Sequence, residues 1–197
     1  LTAGLEWPAT MNGKVNIYSG GPDITLASPR TIGATGTIDI GGPLRTTAVN
    51  ILTVANTAST ALTQNSTGFV SGPMRRAMPV GGPTAGTWLF PVAKGGVYLP
   101  FAIQDPTTVG GATVQAEVFN AGSGGSADGT TILAGSLSGT EYWQASVSAG
   151  TFTSGFMQVG KTGLTATNLI GSSTVLAGAY ASNGANTYNS VPVPPTL

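Results

Sequence analysis

Residues 37 to 43 read Thr-Ile-Asp-Ile-Gly-Gly-Pro, a four-residue strand pattern followed at once by a turn. β-branched residues suit a pleated strand, and a Gly-Gly-Pro run punctuates it. Similar short runs recur over residues 12 to 72, at 15–18, 24–26, 51–54 and 68–70. Each run offers only two or three apolar positions, and the spacings are irregular. Two architectures therefore remain open for this region: a few irregular β-solenoid coils, or one sheet of a sandwich.

Longer strand patterns follow between about residues 73 and 190. The clearest covers residues 113–119, where Val114, Ala116 and Val118 share one face and polar residues take the other. Further runs lie at 97–103, 142–147, 152–159 and 174–180. Strands at this spacing, joined by Gly-rich turns, are typical of an antiparallel β-sandwich. The sequence thus predicts an all-β chain, with a β-solenoid-like region over 1–72, a sandwich over 73–190 and an extended Pro-rich tail over 191–197.

Charge and composition exclude several classes of function. The 197 residues include 7 Lys and Arg, 7 Asp and Glu, no His and no Cys. Nucleic-acid binding needs clustered cations, and no basic stretch exceeds Arg75–Arg76. No run approaches the roughly 18 apolar residues of a membrane-spanning helix. Because the chain begins at Leu1 with no visible signal peptide, we expect it to be a piece of a longer protein.

Three stretches resemble a pattern found in Bacteroidota surface and extracellular proteins, many of them exported by the type-nine secretion route. Residues 67–76 read TGFVSGPMRR, residues 90–101 read FPVAKGGVYLPF, and residues 141–144 read EYWQ before GTFTSG at 150–155. Phe119 and Asn120 also stand where that family has a similar strand. Ala93 is a departure, since glycine is usual there, and it puts a tight turn in doubt.

The resemblance covers roughly residues 67 to 180. It implies an extracellular β module within a large adhesin-like or matrix-forming protein. It implies no catalytic residues and identifies no ligand.

Catalysis is not expected. Without His or Cys, a glycosidase-like pair of carboxylates is the remaining option, and Glu117 and Glu141 could face each other on neighbouring strands. Solvent-facing alternation, or pairing with an arginine, is favoured over that role. The Gly-rich segment from Asn120 to Asp128 could wrap Ca²⁺, but it lacks the pattern of an EF-hand loop, so a bare turn is favoured. We therefore predict no catalytic residue, no cofactor and no metal.

Four residues are candidates for contact with a glycan. Tyr142 and Trp143 are neighbours in a strand, so one ring lies on each face and one of them could stack on a sugar. Core or interface packing is the alternative for both. Arg75 and Arg76 could bind an acidic glycan, although pairing with carboxylates and carbonyls at the junction of the two regions is favoured.

Both ends of the chain carry apolar residues in extended segments. Pro192, Pro194 and Pro195 exclude a helix or a central strand from the C-terminal segment. Candidate assembly residues are Leu1, Leu5, Trp7, Val191, Val193 and Leu197. They predict end-to-end self-association or tandem copies, with a plain interdomain linker as the alternative.

The sequence therefore favours a non-enzymatic structural or adhesive module of a secreted bacterial surface protein, with a repeat unit of an extracellular filament or array as one form of such a module. A carbohydrate-binding module of a polysaccharide-processing protein is the alternative. The expected location is the cell surface or the extracellular space.

Overall fold

The computed structural model describes residues 2–3, 7–65, 67–122, 126–127, 140–160, 170–171, 179–180 and 187–190. Within them the chain is all-β, with one short 3-10 turn at Ser59–Ala61. The strands are β1 Thr2–Ala3, β2 Thr10–Met11, β3 Lys14–Ile17, β4 Ile24–Leu26, β5 Arg30–Ile32, β6 Thr37–Ile40, β7 Pro43–Arg45, β8 Leu52–Val54, β9 Leu62–Gln64, β10 Phe69–Ser71, β11 Met74–Met78, β12 Thr87–Phe90, β13 Val92–Lys94, β14 Val97–Tyr98, β15 Phe101–Phe119, β16 Ser126–Ala127, β17 Tyr142–Val159, β18 Ile170–Gly171, β19 Ala179–Tyr180 and β20 Thr187–Ser190.

The first half of the chain forms coils stacked in parallel. The first face carries β2, β5, β8 and β11, the second carries β3, β6 and β9, and the third carries β1, β4, β7, β10 and β13. On the first face Thr10 lies beside Thr31, Thr31 beside Thr53 and Thr53 beside Arg75, so the chain advances by about 22 residues per coil. This β-solenoid arrangement is the first of the two architectures that the short runs left open.

The core of the solenoid consists of side chains stacked from one coil to the next. Ile32 and Val54 form one such column on the first face, and Leu44 and Val70 form one on the third. All four are fully buried. Each strand of three or four residues sends its alternate side chains inward, and its neighbours above and below cover them. Burying one such side chain contributes about 1.5–3 kcal/mol, so the stacked columns stabilise strands that are too short to be stable alone.

Glycines occupy the corner between the second and third faces, where one coil passes directly over another. A Cβ on Gly68 would lie 1.9 Å from the carbonyl oxygen of Ile40, and one on Gly41 would lie 2.8 Å from that of Ile17. The same Ile40 oxygen accepts a hydrogen bond from the Asn65 N–H at 3.0 Å. The coils therefore approach at this corner more closely than any side chain permits.

The second half of the chain extends the first face instead of forming a separate layer. β11 pairs in parallel with β8 on one side and antiparallel with β15 on the other. β15 also pairs with β12 and, over nearly its whole length, with β17. Register shifts between Gln104 and Thr107 and between Val109 and Ala112 let this long strand follow β12 first and β11 later. The result is a mixed sheet of eight strands that continues from the solenoid.

The predicted sandwich over residues 73–190 is not confirmed, because the sheets in that region are mixed and partly parallel. The strand expected at 97–103 is interrupted at Leu99 and Pro100, and its last part belongs to β15. The strands expected at 142–147 and 152–159 are one strand, β17. The run expected at 174–180 lies outside the described residues except for Ala179 and Tyr180.

None of the helices in the described residues has the length and apolar character that crossing a membrane requires.

Candidate functional site

A groove lies at the corner where the third face of the solenoid meets the first face and β15. Its volume is about 490 Å³, within the range of small-molecule sites. Five strands and two corners line this corner groove, with Thr25, Arg45, Thr46, Thr47, Ala48, Ser71, Gly72, Pro73, Lys94 and Glu117. Thr25, Arg45 and Ser71 stand in register on β4, β7 and β10, so the coil repeat itself aligns them along the groove.

Two ion pairs hold the charged side chains of the corner groove in place. Arg45 donates from Nε to Oδ2 of Asp23 at 2.9 Å, and its Nη2 contacts the same oxygen. Lys94 Nζ lies 3.3 Å from Oε1 of Glu117. All four groups are partly exposed, so each pair contributes little to stability. The pairs instead fix the positions of these groups. Arg45, Lys94 and Glu117 line the groove, and Asp23 adjoins it through Arg45, so the four charges sum to zero.

The back of the corner groove is rigid because of Thr46 and Gly72. The Thr46 hydroxyl is buried and donates to the carbonyl oxygen of Pro73 at 2.8 Å. Gly72 has a φ of 122°, and a Cβ there would lie 2.5 Å from the carbonyl oxygen of Thr46. Only glycine fits that backbone conformation and that close approach. The corner between β10 and β11 is thereby fixed against the preceding coil.

An aromatic pair borders the corner groove on the side of Lys94. Lys94 Nζ lies 5.3 Å from the centre of the Phe119 ring, a cation–π distance. The Phe119 ring is stacked on that of Tyr142, with centroids 4.6 Å apart and planes 10° from parallel. Both rings are half-buried. Tyr142, which the sequence suggested as a glycan contact, therefore packs on Phe119, and Phe119 in turn contacts Lys94 of the groove.

Trp143 and Arg75 occupy different positions from Tyr142. Trp143 is half-buried, packs against the core and donates from Nε1 to the carbonyl oxygen of Leu99 at 3.0 Å. Arg75 lies on β11 and donates from Nε to Oε1 of Gln115 at 2.9 Å. The structure thus does not bring the four candidate glycan residues together into one surface.

Arg76 cannot serve as a glycan contact, because its side chain is fully buried. It alternates with Met74 and Met78 on β11 and therefore points into the solenoid. Its guanidinium donates to the carbonyl oxygens of Leu89, Ala58 and Ser59 at 2.9, 3.1 and 3.1 Å. Burial lowers the pKa of Arg76 to about 9. The residue ties the 3-10 turn and β12 to β11, which is a structural role.

The carboxylate pair considered for glycosidase chemistry is not formed. Gln144, and not Glu141, is the residue opposite Glu117 on the neighbouring strand. Glu141 is buried, whereas Glu117 borders the corner groove and pairs with Lys94.

Metal binding finds little support in the described residues. In that part of the chain no group of three or more Asp and Glu side chains could hold a metal ion. The segment from Asn120 to Asp128 lies largely outside the described residues.

The exposed strand β17 is a second notable surface. Its 18 residues contain no charged side chain and no proline. In the described part of the chain, its outer side has a partner only at Gln158 and Val159, which pair with β18. Val147 and Met157 stand opposite the buried residues Val114 and Ile103, so they point to the core side of the sheet. They are nevertheless 47% and 41% exposed, which leaves apolar surface uncovered.

Of the predicted assembly residues, only Trp7 is described. Trp7 is half-buried and packs against the core of the solenoid. Leu1, Leu5, Val191, Val193 and Leu197 lie outside the described residues. End-to-end association through the chain ends stays a prediction.

Comparison with known proteins finds no matching family model, no matching curated protein and no matching solved structure.

Sequence reasoning missed the corner groove, although it named several of its residues. Glu117 was considered as one of a catalytic pair of carboxylates, as a solvent-facing residue or as a partner of an arginine, and not as a ligand contact. The alternation in Pro43-Leu44-Arg45 is a signal that Arg45 points outward. No local pattern indicates that β4, β7, β13 and β15 meet at one corner, because that depends on the coil repeat.

Proposed function

We propose that the chain is a non-enzymatic structural and adhesive module of a secreted bacterial surface protein, and that copies associate through the edge of β17. The observation that carries the proposal is the charge-free, proline-free strand β17, whose outer side is paired, within the described residues, only at Gln158 and Val159 with the two-residue strand β18. The solenoid supplies a rigid body, and β17 supplies the surface for assembly.

Edge strands normally carry features that prevent pairing with other chains. Lysine, proline, short length and strong bulges are the common ones. β17 has register shifts in its pairing with β15, but it is about 60 Å long at the usual strand rise and has neither a charge nor a proline. A strand of this kind is suited to pair with another strand, which would satisfy backbone groups along its outer side.

The partner that fits this edge is a second copy of the same strand. Antiparallel self-pairing centred on Phe152 places Val147 of one copy opposite Met157 of the other. Both residues point to the core side of their sheets, so the contact buries the two exposed apolar patches together. Because the strand is uncharged, no like charges meet in this arrangement. A two-fold contact of one surface with itself is also the commonest form of homo-oligomer.

Charged substitutions test this association directly. The double variant Val147→Lys/Met157→Lys places lysines opposite lysines across the proposed contact, and Val147→Glu/Met157→Glu does the same with carboxylates. We expect sedimentation velocity to show the wild type associating as concentration rises and each double variant remaining monomeric. An equimolar mixture of the two variants should associate again, because opposite charges then meet.

The matched control is Val49→Lys/Val80→Lys, which adds the same charge at two valines that are 76% and 71% exposed and lie off β17. It should associate like the wild type. A wild type that stays monomeric throughout, or a mixture that does not associate, would refute edge assembly. Melting temperatures of all variants establish that they are folded.

A further inference from the structure

We propose that the corner groove binds a neutral oligosaccharide, with Glu117, Lys94 and Arg45 as the polar contacts and the Phe119–Tyr142 pair as the apolar border. The site does not rest on assembly through β17: the residues that line the groove lie outside that strand, and Tyr142, its first residue, only borders the groove and lies away from Val147 and Met157.

The first argument is chemical. A sugar presents neighbouring hydroxyl groups that both donate and accept hydrogen bonds. The groove offers carboxylate acceptors on Glu117, donors on Lys94 and Arg45, and the hydroxyls of Thr25 and Ser71, which do either. Charge-assisted hydrogen bonds of this kind are about twice as strong as neutral ones. These groups can bind the hydroxyls of a polyol from several directions.

The second argument concerns charge. Lys94 is paired with Glu117, and Arg45 is paired with Asp23 at the border of the groove. A strongly anionic ligand would compete with Glu117 for Lys94 and with Asp23 for Arg45, and a cationic one would compete with Lys94 for Glu117. In either case the charge of the ligand would be compensated only if one of the existing ion pairs broke. The balance of charge selects a ligand without net charge.

The third argument concerns shape and rigidity. The groove is built on strands held in the coil register and closed at the back by Thr46 and Gly72. Side chains that are already held in place lose little freedom when a ligand binds. Phe119 is stacked on Tyr142 and has Lys94 Nζ over its ring, so the outer face of Tyr142 is the flat apolar surface that the pair offers beside the groove. The carbon-bound hydrogens of a pyranose ring pack on such a surface while its hydroxyls face the polar groups.

Calorimetric titration with defined sugars tests the site. The probes are cellohexaose, laminarihexaose and mannohexaose, with polygalacturonate as the anionic comparison. We expect at least one neutral hexasaccharide to bind and polygalacturonate to bind more weakly. Glu117→Gln keeps the size of the side chain but removes its charge, and it should weaken binding at least about tenfold. The control Asp39→Asn makes the same chemical change on the second face, where Asp39 accepts a hydrogen bond from Thr63, and should bind like the wild type.

Two further measurements make the result independent of variant stability and of assembly. Adding the bound hexasaccharide to the wild type should shift the amide resonances of Ser71 and Gly72. The variant Val147→Lys/Met157→Lys should bind the sugar with unchanged affinity. The proposal is overturned if no neutral hexasaccharide binds, if polygalacturonate binds more tightly, if Glu117→Gln binds like the wild type, or if the resonances of Ser71 and Gly72 do not move.

Discussion

Gly68→Ala tests whether close contact between coils holds the solenoid together. The new Cβ would lie 1.9 Å from the Ile40 carbonyl oxygen and 2.4 Å from its carbonyl carbon. Both are backbone atoms, so the third coil must move away from the second by more than an ångström. This movement weakens the 3.0 Å hydrogen bond from the Asn65 N–H to the Ile40 oxygen. Overpacking costs about 1–3 kcal/mol and a lost hydrogen bond about 0.5–1.5 kcal/mol, which together give about 2–4 kcal/mol of destabilisation.

Thermal unfolding followed by circular dichroism measures the effect. For a chain of this size the expected loss corresponds to a melting temperature lower by roughly 4–16 °C. The control is Gly13→Ala, because no atom lies within 4 Å of a Cβ at Gly13. That variant should melt within about 2 °C of the wild type. If Gly68→Ala also melts within 2 °C, the coils are not in the close contact described, and the reasoning is wrong.

Two further predictions concern buried polar groups. Arg76→Lys should lower the free energy of unfolding, measured by urea titration, because lysine cannot reach all three carbonyl oxygens. Two carbonyls left unsatisfied, at about 1–3 kcal/mol each, give a loss of about 2–6 kcal/mol. An unchanged free energy of unfolding would contradict the role given to the guanidinium. Burial raises the pKa of Tyr98 to about 12. The unfolded chain therefore ionises this phenol near pH 10, whereas the folded chain keeps it protonated. The folded state accordingly loses stability as the pH rises from 10 to 12. Tyr98→Phe should lose less stability than the wild type over that window, and equal losses would show that Tyr98 is not responsible.

The existence of several strands could be predicted from the sequence, but their partners could not. β4 and β6 have the predicted bounds, since Ile24–Leu26 and Thr37–Ile40 carry enough β-branched residues to be recognised as strands from the sequence alone. β5, β7 and β9 were missed: Pro43–Arg45 and Leu62–Gln64 have little strand propensity of their own, and Arg30–Ile32 has two β-branched residues but only three residues in all. Their conformation comes from pairing with the coils on either side, and a local pattern does not contain that information.

The candidate site illustrates the same limit. The sequence analysis weighed Arg76 as a contact for an acidic glycan against pairing with carboxylates and carbonyls, and the alternation of Met74, Arg76 and Met78 was a sign that it shares their buried face. The corner groove gave no comparable sign. Arg45 and Glu117 are distant in sequence, and they meet only because the coils stack in register and β15 joins the first face.

The pairing of β15 with both β11 and β12 has a mechanical consequence. Tension applied along the paired strands β15 and β17 acts parallel to the strands, so the backbone hydrogen bonds to β11 and β12 bear the load in shear and must fail together. Tension along the solenoid axis instead acts across the hydrogen bonds between coils, which can open one coil at a time. A module attached to its neighbours through β17 is therefore strongest when pulled along that strand and weakest when its coils are pulled apart.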